Sequence, residues 1–446
     1  MNYEWNETIL SEIANINPKR HIEKGSLSPF IEMAALPIYS RDVPASKIVS
    51  RIFTGGGSKF KDGDTLLARI TPCLENGKTV LVYGLGESVH AHGSTEFIVL
   101  EPKVLSDARY LYYLIRNERF RKYAIARMEG TSGRQRVPSS AISKYKFICP
   151  QALIREKIGD ILGVLDDHIT LLHETNATLE AIAQTLFKSW FVNFDPVHAK
   201  AEGRKPEGID TETAMLFPSM FTKDKLGIPI NWKVVLLGDW LYVLETGKRP
   251  KGGVGEIKEG IPSIGAESIV RVGKFNYSKT KYVSREFFAK MKAGVLQSHD
   301  ILLYKDGGKP GVFLPRVSLF GDGFPFKQCV INEHVFRIRI KEPFNQAFLY
   351  FWLWSDATMH ELKHRGGKAA IPGINQSDVK ELKILMPSKT ILDRFNDLVS
   401  PLFSQILNNA KQIQTLDTLR DTLLPRLVSG QLRLPETDAG INKVAI

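Results

Sequence analysis

The amino-acid sequence predicts an α+β protein in which two globular mixed α/β domains, related by a pseudo-two-fold axis, are separated by an antiparallel coiled coil of two long helices. Three observations predict this fold: two long helical stretches repeat each other, both carry a heptad pattern, and the segments before them are loosely similar. Residues 146–191 can be laid over residues 383–428 without a gap at a constant offset of 237 residues. We therefore interpret the chain as a duplicated protein.

The two repeated stretches have apolar residues at alternating intervals of three and four, which is typical of a coiled-coil seam. In the first copy the predicted seam contains Leu162, Leu165, Ile169, Leu172, Asn176 and Leu179. In the second copy it contains Val399, Leu402, Ile406, Asn409, Ile413 and Leu416. The two asparagines either fix the alignment of the helices, as a buried asparagine can, or lie at a solvated edge of the seam. The sequence leaves both alternatives open.

The length of these stretches favours pairing between them. A continuous helix over residues 154–190 would be about 55 Å long, which exceeds what most single domains need. One copy ends in the middle of the chain and the other near its C-terminal end, so antiparallel pairing would hold the two globular segments apart. The alternative is that each helix packs on its own domain as an ordinary core helix. Neither stretch is apolar enough to cross a bilayer, because charged residues recur along both.

The globular segments before the two helices also match, although their loops do not. The matching pairs are 64–69 (DTLLAR) with 300–305 (DILLYK), and 96–99 (EFIV) with 333–336 (EHVF). Runs such as 336–340, which alternate apolar and charged residues, are typical of strands. In contrast, the loop at 70–78 (ITPCLENGK) is unlike the loop at 306–311 (DGGKPG). Since recognition usually lies in loops on a rigid scaffold, we expect two sites of one kind that recognise different features.

These features give six predicted regions. They are a first globular domain at 1–150, a first long helix at 151–193, a linker at 194–227, a second globular domain at 228–387, a second long helix at 388–432 and a C-terminal tail at 433–446. The linker is predicted from the polar, glycine-containing run at 201–208. We expect Phe217 and Phe221 to attach it to the second domain.

Composition and charge narrow the classes of function. The three cysteines form no C-x-x-C pair, so neither a disulfide framework nor a zinc site is indicated. A secretory signal pattern is missing, so we expect a cytoplasmic protein. The net charge is +12, and residues 116–146 hold nine Lys and Arg against two Glu. A localised basic surface on paired domains favours DNA as a ligand, although such a run can also be an ordinary solvated face.

Basic residues near glycine-containing loops are the candidates for DNA contact. The loop at 130–138 (GTSGRQRVP) corresponds to 364–372 (HRGGKAAIP), and in both the glycines would let the backbone approach a ligand closely. The candidates are Arg69, Lys78, Arg134 and Arg136 in the first domain and Lys305, Lys309, Arg365 and Lys368 in the second. Such side chains can hold a phosphate or read the edge of a base.

We predict no catalytic residue and no metal site. The run at 193–196 (NFDP) lacks the double proline of an adenine methyltransferase loop. Residues 77–79 (GKT) lack the earlier glycine of a Walker loop, because Pro72 stands in its place. His90 and His92 would share one face of a strand, but a metal ion needs a third ligand, so we favour an ordinary exposed pair.

Further stretches carry a resemblance to a known family. They are 63–78 (GDTLLARITPCLENGK), 189–197 (SWFVNFDPV) with 199–203 (AKAEG), and 424–432 (LPRLVSGQL). Together with the duplication, they make nearly the whole chain resemble the specificity subunit of type I restriction-modification enzymes. The resemblance implies two target-recognition domains, each reading one half of a split double-stranded DNA sequence, and helical spacers that form a coiled coil and dock two modification (methyltransferase) subunits. Restriction (translocase) subunits complete the implied complex.

The resemblance implies no cofactor on this chain, since S-adenosylmethionine, ATP and Mg would be bound by the partner subunits. The predicted function is therefore sequence-specific DNA binding by a non-catalytic subunit that acts as a scaffold, with no membrane contact. The first alternative is a protein adaptor that binds two partner copies without DNA readout. A fused enzyme with its own cofactor site is the second alternative, and the missing cofactor loops argue against it.

Overall fold

The computed structural model describes residues 5–38, 40–86, 88–131, 133–223, 227–275, 280–321, 324, 326–367 and 371–434. The chain divides into two compact units. Unit 1 comprises residues 1–171 and 415–446, and unit 2 comprises residues 172–414. Helices and sheets occur together in both units, so the predicted α+β class is confirmed.

Unit 1 combines small sheets with short helices and parts of the two long helices. Its strands are β1 (Asn6–Ile9), β2 (Ala14–Ile16), β3 (Leu27–Ile31), β4 (Val49–Ile52), β5 (Ser58–Phe60), β6 (Thr65–Ala68), β7 (Thr79–Leu81), β8 (Ala91–Gly93), β9 (Phe97–Pro102) and β10 (Lys146–Cys149). Its helices are α1 (Ala108–Arg116), α2 (Glu118–Ile125), α3 (Ser139–Ser143) and the first half of α4 (Ala152–Phe191). Within the described residues, its sheets have the strand orders β1-β10, β2-β9-β6-β7 and β4-β3-β8-β5.

Unit 2 is built in the same way. Its strands are β11 (Lys233–Leu236), β12 (Leu241–Thr246), β13 (Ile261–Ile264), β14 (Lys281–Val283), β15 (Ile301–Tyr304), β16 (Val317–Leu319), β17 (Val330–Ile331), β18 (Val335–Ile340) and β19 (Lys383–Met386). Its helices after α4 are α5 (Asp195–Ala201), α6 (Thr211–Leu216), α7 (Leu237–Trp240), α8 (Arg285–Lys290), α9 (Gln346–Trp354), α10 (Asp356–Gly366), α11 (Gln376–Lys380) and most of α12 (Lys389–Val428). The sheet orders, for the part of the chain described, are β11-β19, β12-β18-β15-β16 and β14-β13-β17.

The strand orders show that the two units share one topology. The antiparallel sheet β2-β9-β6-β7 of unit 1 corresponds strand for strand to β12-β18-β15-β16 of unit 2. The ribbon of β1 and β10 corresponds likewise to that of β11 and β19. The duplication inferred from the sequence is therefore a duplication of the fold.

Helices α4 and α12 are both 40 residues long and keep the offset of 237 residues. Residues 146–149 and 383–386, at the start of the two repeated stretches, are strands β10 and β19, and the helices begin at Ala152 and Lys389. Short apolar runs do not distinguish a strand from a helix by their periodicity. Pro150 and Pro387 follow these strands directly, and the residue before a proline is disfavoured in the helical conformation.

The two long helices pack against each other in both units. In unit 2, Asn176 of α4 bonds Asn409 of α12, and Phe187 of α4 contacts Phe395 of α12 at a ring-centroid distance of 6.0 Å. Contacts that advance along α4 therefore go backwards along α12, so the helices are antiparallel as predicted. In unit 1, both helices also join the core of the globular part. The alternative of a core helix thus holds in part as well.

Every predicted seam residue is buried or half-buried. The two asparagines are almost completely buried and bonded to each other. Nδ2 of Asn409 donates to Oδ1 of Asn176 at 2.8 Å, and Nδ2 of Asn176 donates to the carbonyl of Ile406 at 3.4 Å. Gln405 donates to Oδ1 of Asn409 at 2.7 Å. This arrangement supports the alternative in which the asparagines fix the helix alignment, because a slipped pairing would leave their amides unpaired.

Replacing Asn409 with leucine should destabilise unit 2 by about 1–3 kcal/mol, because the buried side-chain oxygen Oδ1 of Asn176 would lose its hydrogen-bond donor. The double variant with leucine at both positions should recover most of that loss, since no buried amide is left unpaired. Urea unfolding of the two variants and the wild type measures both effects. A double variant that is less stable than the single one would contradict the assigned pairing.

The predicted linker, as far as residues 194–223 and 227 describe it, is a folded part of unit 2. It contains α5 and α6, and the buried ring of Phe217 lies 5.0 Å from that of Trp190 at the end of α4. Arg394 of α12 pairs with Asp210 at 3.0 Å. The ring of Phe221 contacts those of Phe194 and His198 within the same segment.

Candidate nucleic-acid interface

Three segments of unit 1 meet around Arg69, at the end of β6. The backbone N–H of Arg69 donates to the backbone carbonyl of Glu96 at 3.0 Å, and the N–H of Thr71 donates to the backbone carbonyl of Gln135 at 3.0 Å. The N–H of Val137 in turn donates to the carbonyl of Arg69 at 2.9 Å. We call the segments 69–78, 94–96, 129–131 and 133–137 loop cluster 1.

The corresponding segments of unit 2 meet in the same way around Lys305. The backbone N–H of Lys305 donates to the backbone carbonyl of His334 at 2.9 Å, and that of Gly307 donates to the backbone carbonyl of Pro372 at 2.9 Å. The N–H of Ile374 donates to the carbonyl of Lys305 at 2.8 Å. We call the segments 305–311, 332–334, 366–367 and 371–374 loop cluster 2. The two clusters therefore share one backbone frame, although their side chains differ.

In loop cluster 1, Arg136 forms a two-pronged ion pair with Glu96. Its Nε lies 2.9 Å from Oε2 of Glu96, and its Nη2 lies 2.7 Å from Oε1. The third nitrogen, Nη1, donates to the carbonyl of Arg134 at 3.2 Å. The hydrogen bonds with Arg136 lower the pKa of Glu96, and the same contact raises the pKa of Arg136. The Arg136 side chain is thus engaged within the protein.

The other three candidates of unit 1 differ in exposure and in whether their charged groups already have partners within the protein. Arg134 is exposed, and among the described residues its guanidinium has no ion-pair or hydrogen-bond partner. Arg69 is half-buried, and its Nε has no hydrogen-bond partner in the described part of the chain. The Nζ of Lys78 donates to the carbonyl of Met33 at 2.9 Å. Arg134 is therefore the most available of the four cations for a ligand.

The candidates of unit 2 also separate into free and engaged side chains. Lys305 pairs with its neighbour Asp306, whereas Lys309 is exposed. Arg365 contacts Glu361 at 2.7 Å and Glu381 at 2.9 Å, and the hydrogen bonds with Glu381 and Glu361 raise its pKa. Lys368 lies outside the described residues.

Comparison with known proteins places this architecture in a family. The profile of the family described as Type I restriction modification DNA specificity domain matches residues 2–181 and 229–417. The two matched regions contain the two loop clusters and most of both long helices. The chain belongs to this family. The resemblance identified from the sequence is therefore confirmed.

Individual members of the family are similar along most of the chain. The chain is 26% identical over 329 residues to the type I restriction enzyme MjaIX specificity subunit of Methanocaldococcus jannaschii. The aligned region covers 74% of this chain and 70% of that protein. It is 27% identical over 426 residues to the HindI specificity subunit of Haemophilus influenzae, which covers 84% and 87% of the two chains. The crystal structure of the S subunit of a type I restriction-modification system from M. genitalium has the same fold, with a TM-score of 0.54, 14% identity and coverage of 97% and 98%.

Loop cluster 2 of this specificity-domain chain contains ion pairs that the sequence did not predict. In loop cluster 2, His334 contacts Asp306, and Glu333 pairs with Arg249 at 2.9 Å. Burial opposes ionisation of Asp306, but hydrogen bonds from Lys305 and His334 hold its pKa below the usual value. The charge of each residue was visible in the sequence, but the partners lie up to 84 positions apart, so their proximity was not.

The structure corrects the expectation for the two histidines of unit 1. His92 on β8 is buried, with its ring 5.0 Å from that of Phe30 and 5.1 Å from that of Phe53. His90 is half-buried and contacts the carbonyl of His21 at 3.0 Å. Within the described ranges, no group of three or more His, Cys, Asp or Glu side chains could hold a metal ion. The same part of the chain holds no helix that is long and apolar enough to span a membrane.

Proposed function

We propose that this chain is the non-catalytic DNA-reading subunit of a type I restriction-modification complex. It recognises a bipartite double-stranded DNA target and holds the adenine methyltransferase and restriction subunits. The observation that carries this proposal is the pair of loop clusters in a chain of the DNA specificity family. Equivalent backbone hydrogen bonds surround Arg69 and Lys305, whereas the side chains of the two clusters differ. Two equivalent frames with different side chains suit the reading of two different half-sites.

The charge distribution supports double-stranded DNA as the ligand. The chain carries a net charge of +12, and the basic run at 116–146 includes the exposed Arg134 of loop cluster 1. Lys309 is an exposed cation in loop cluster 2. Cations of this kind bind phosphates, and those that reach a groove can read base edges.

The outer face of α4 is the proposed docking surface for the modification subunits. Leu153, Val164 and Leu171 are 53%, 61% and 58% exposed. Their spacing of 11 and 7 residues places them on one face of the helix, opposite the seam residues Leu162 and Ile169. Exposed apolar side chains on the side of a helix that faces away from its coiled-coil partner suit contact with another protein.

Exchange of one domain tests independent reading of the two half-sites. We expect that replacing residues 1–150 with the equivalent domain of another family member changes one half of the methylated target and leaves the other half and the spacing unchanged. Mapping of methylated adenines in a host that expresses the complex gives the result. The matched exchange of residues 228–387 should change only the other half. Simultaneous changes in both halves after either exchange would contradict independent reading.

The dependence of binding on salt separates DNA reading from the adaptor alternative. The logarithm of the DNA affinity of the complex should fall linearly with the logarithm of salt concentration, with a slope of about 0.9 per phosphate neutralised. Binding without any salt dependence, or no binding to duplex DNA, would favour the adaptor.

A further inference from the structure

We propose that Arg134 contacts a guanine in the first half-site, and that Arg136 and Glu96 position the loop from which Arg134 projects. This division of roles rests on the proposed DNA-reading function. In this division Arg134 contacts the DNA, whereas Arg136 makes contacts within the protein.

The contacts of Arg136 leave it poorly placed to read a base. An arginine reads guanine with two parallel N–H groups directed at O6 and N7. The Nε and Nη2 edge of Arg136, which could form such a fork, is directed at the two oxygens of Glu96 at 2.9 and 2.7 Å. A base could take this edge only by displacing the carboxylate, which would leave Glu96 unpaired beside the negatively charged DNA.

The same contacts fix the backbone of Arg134. The backbone groups of Arg136 and Glu129 exchange two hydrogen bonds, of 2.8 and 2.9 Å, and the N–H of Arg134 donates to Thr131 at 3.1 Å. Nη1 of Arg136 holds the carbonyl of Arg134 at 3.2 Å. The peptide at Arg134 is therefore held on the protein side, while its side chain is exposed.

The glycines of the loop make this conformation accessible. Gly130 has a φ of 114° and Gly133 a φ of 80°, which side-chain-bearing residues rarely adopt. Arg134 follows Gly133 directly, and its side chain is exposed.

Loop cluster 2 supports a positioning role for the pair in cluster 1. The backbone bond between Arg136 and Glu129 recurs as the bond from Gly373 to Gly366, at 2.9 Å, so Gly373 occupies the place of Arg136. A Cβ at Gly373 would lie 2.5 Å from Cβ of Asp306, which leaves no room for a side chain. His334 and Asp306 instead join two segments of this cluster. Each cluster thus has its own internal pair, as expected of contacts that hold loops.

The test of Arg134 uses the full chain in complex with its methyltransferase partners. Competition binding compares the mapped target duplex with duplexes altered at single base pairs. Arg134→Ala should lose about 5- to 150-fold discrimination at one G·C pair of the first half-site, the range of one bidentate contact, and keep it elsewhere. Because Arg134 is exposed, the variant should fold normally. Arg204→Ala, which removes an exposed arginine that lies outside the basic run and pairs with Glu202 at 2.5 Å, should keep full discrimination.

The test of the positioning pair uses the same assay. Glu96→Ala and Arg136→Ala should each weaken discrimination at the same base pair as Arg134→Ala, and the double variant should be no worse than either. The exchange of both, Glu96→Arg with Arg136→Glu, should restore only part of it, because the ion pair can form again but the bond from residue 136 to the carbonyl of Arg134 cannot. The assignment would be overturned if Arg134→Ala kept full discrimination. It would also be overturned if Glu96→Ala kept full discrimination while Arg136→Ala lost it. A wild-type complex without any sequence preference would instead overturn the proposed function.

Discussion

Replacement of Arg420 with alanine is expected to destabilise unit 1 by about 3–5 kcal/mol, the cost of leaving a buried charge without its partner. Arg420 of α12 and Asp166 of α4 are each 3% exposed in their side chains, and their charged atoms lie 2.6 Å apart. Tyr113 of α1 donates to the other oxygen of Asp166 at 2.5 Å. Burial disfavours the charge on Arg420, but the carboxylates of Asp166, Asp421 and Asp417 raise its pKa. In the variant, the buried carboxylate of Asp166 loses this cation.

Hydrogen exchange followed by mass spectrometry locates this effect in the chain. Peptides from residues 108–116 and 415–428 should exchange faster in Arg420→Ala, whereas peptides from α9 of unit 2 should be unchanged. Arg426→Ala is the matched control, because it removes an exposed arginine from the same helix. Equal exchange in Arg420→Ala and Arg426→Ala would show that the buried pair does not stabilise unit 1.

Unit 2 suggests how the loss can be repaired. At the offset of 237 residues, Asp166 corresponds to Phe403 and Arg420 to Ala183, which are 3% and 0% exposed. Tyr113 corresponds to Tyr350, whose ring lies 5.2 Å from that of Phe403. The second copy thus fills with apolar groups the place that the first fills with an ion pair. Asp166→Phe combined with Arg420→Ala should therefore recover most of the stability lost in Arg420→Ala, since buried ion pairs are often replaceable by packed apolar groups.

The sequence predicted those features of the fold that depend on local patterns. The interval of three and four residues identified the seam of α4 and α12, because a helix repeats every 3.6 residues. The alternation at 336–340 likewise identified strand β18. The repeated stretches 146–191 and 383–428 also included strands β10 and β19, which form because β1 and β11 are present to pair with them.

Ion pairs between distant residues were beyond prediction from one sequence. In β18 the alternation predicted a strand, but it did not predict that Arg337 and Arg339 both pair with the fully buried Asp300. The candidate DNA-binding residues show the same limit. Arg136 and Arg365 counted as free positive charges in the sequence, but carboxylates from other segments engage both. A count of charges cannot show which of them are already paired.

Asp300 has a counterpart in unit 1, and the comparison gives the second large expected effect. Asp64 and Asp300 are both completely buried, and each accepts the backbone N–H of the residue three positions earlier, at 2.8 and 2.7 Å. Arg337 of β18 neutralises Asp300 at 2.5 Å, whereas Arg20, from the loop after β2, neutralises Asp64 at 2.9 Å. Each copy needs a cation against this aspartate but takes it from a different segment.

Arg20→Ala should therefore destabilise unit 1 by about 3–5 kcal/mol at pH 7, because the side chain of Arg20 is only 5% exposed and its loss strands Asp64. Arg20→Lys is the matched variant, since it keeps the charge but loses the planar fork that also reaches Glu101 at 2.9 Å. We expect it to lose less stability than Arg20→Ala. Urea unfolding of the three proteins, with hydrogen exchange to assign the transition to unit 1, gives the comparison. Equal losses in both variants would show that the geometry of the fork, rather than the charge, stabilises Asp64.

The loss in Arg20→Ala should also depend on pH. Burial raises the pKa of Asp64 to about 6, against the lowering effect of the hydrogen bond from Arg20, so removal of Arg20 should raise this pKa further. In an unfolded chain an aspartate has a pKa of about 3.9. Between pH 7 and pH 5 the folded variant therefore binds a proton that its unfolded form does not, and it gains stability as the pH falls. The wild type gains less, because its Asp64 has the lower pKa of the two. The difference between wild type and Arg20→Ala should be largest at pH 7 and smaller at pH 5, and a difference that is constant over this range would exclude the stranded carboxylate of Asp64 as its cause.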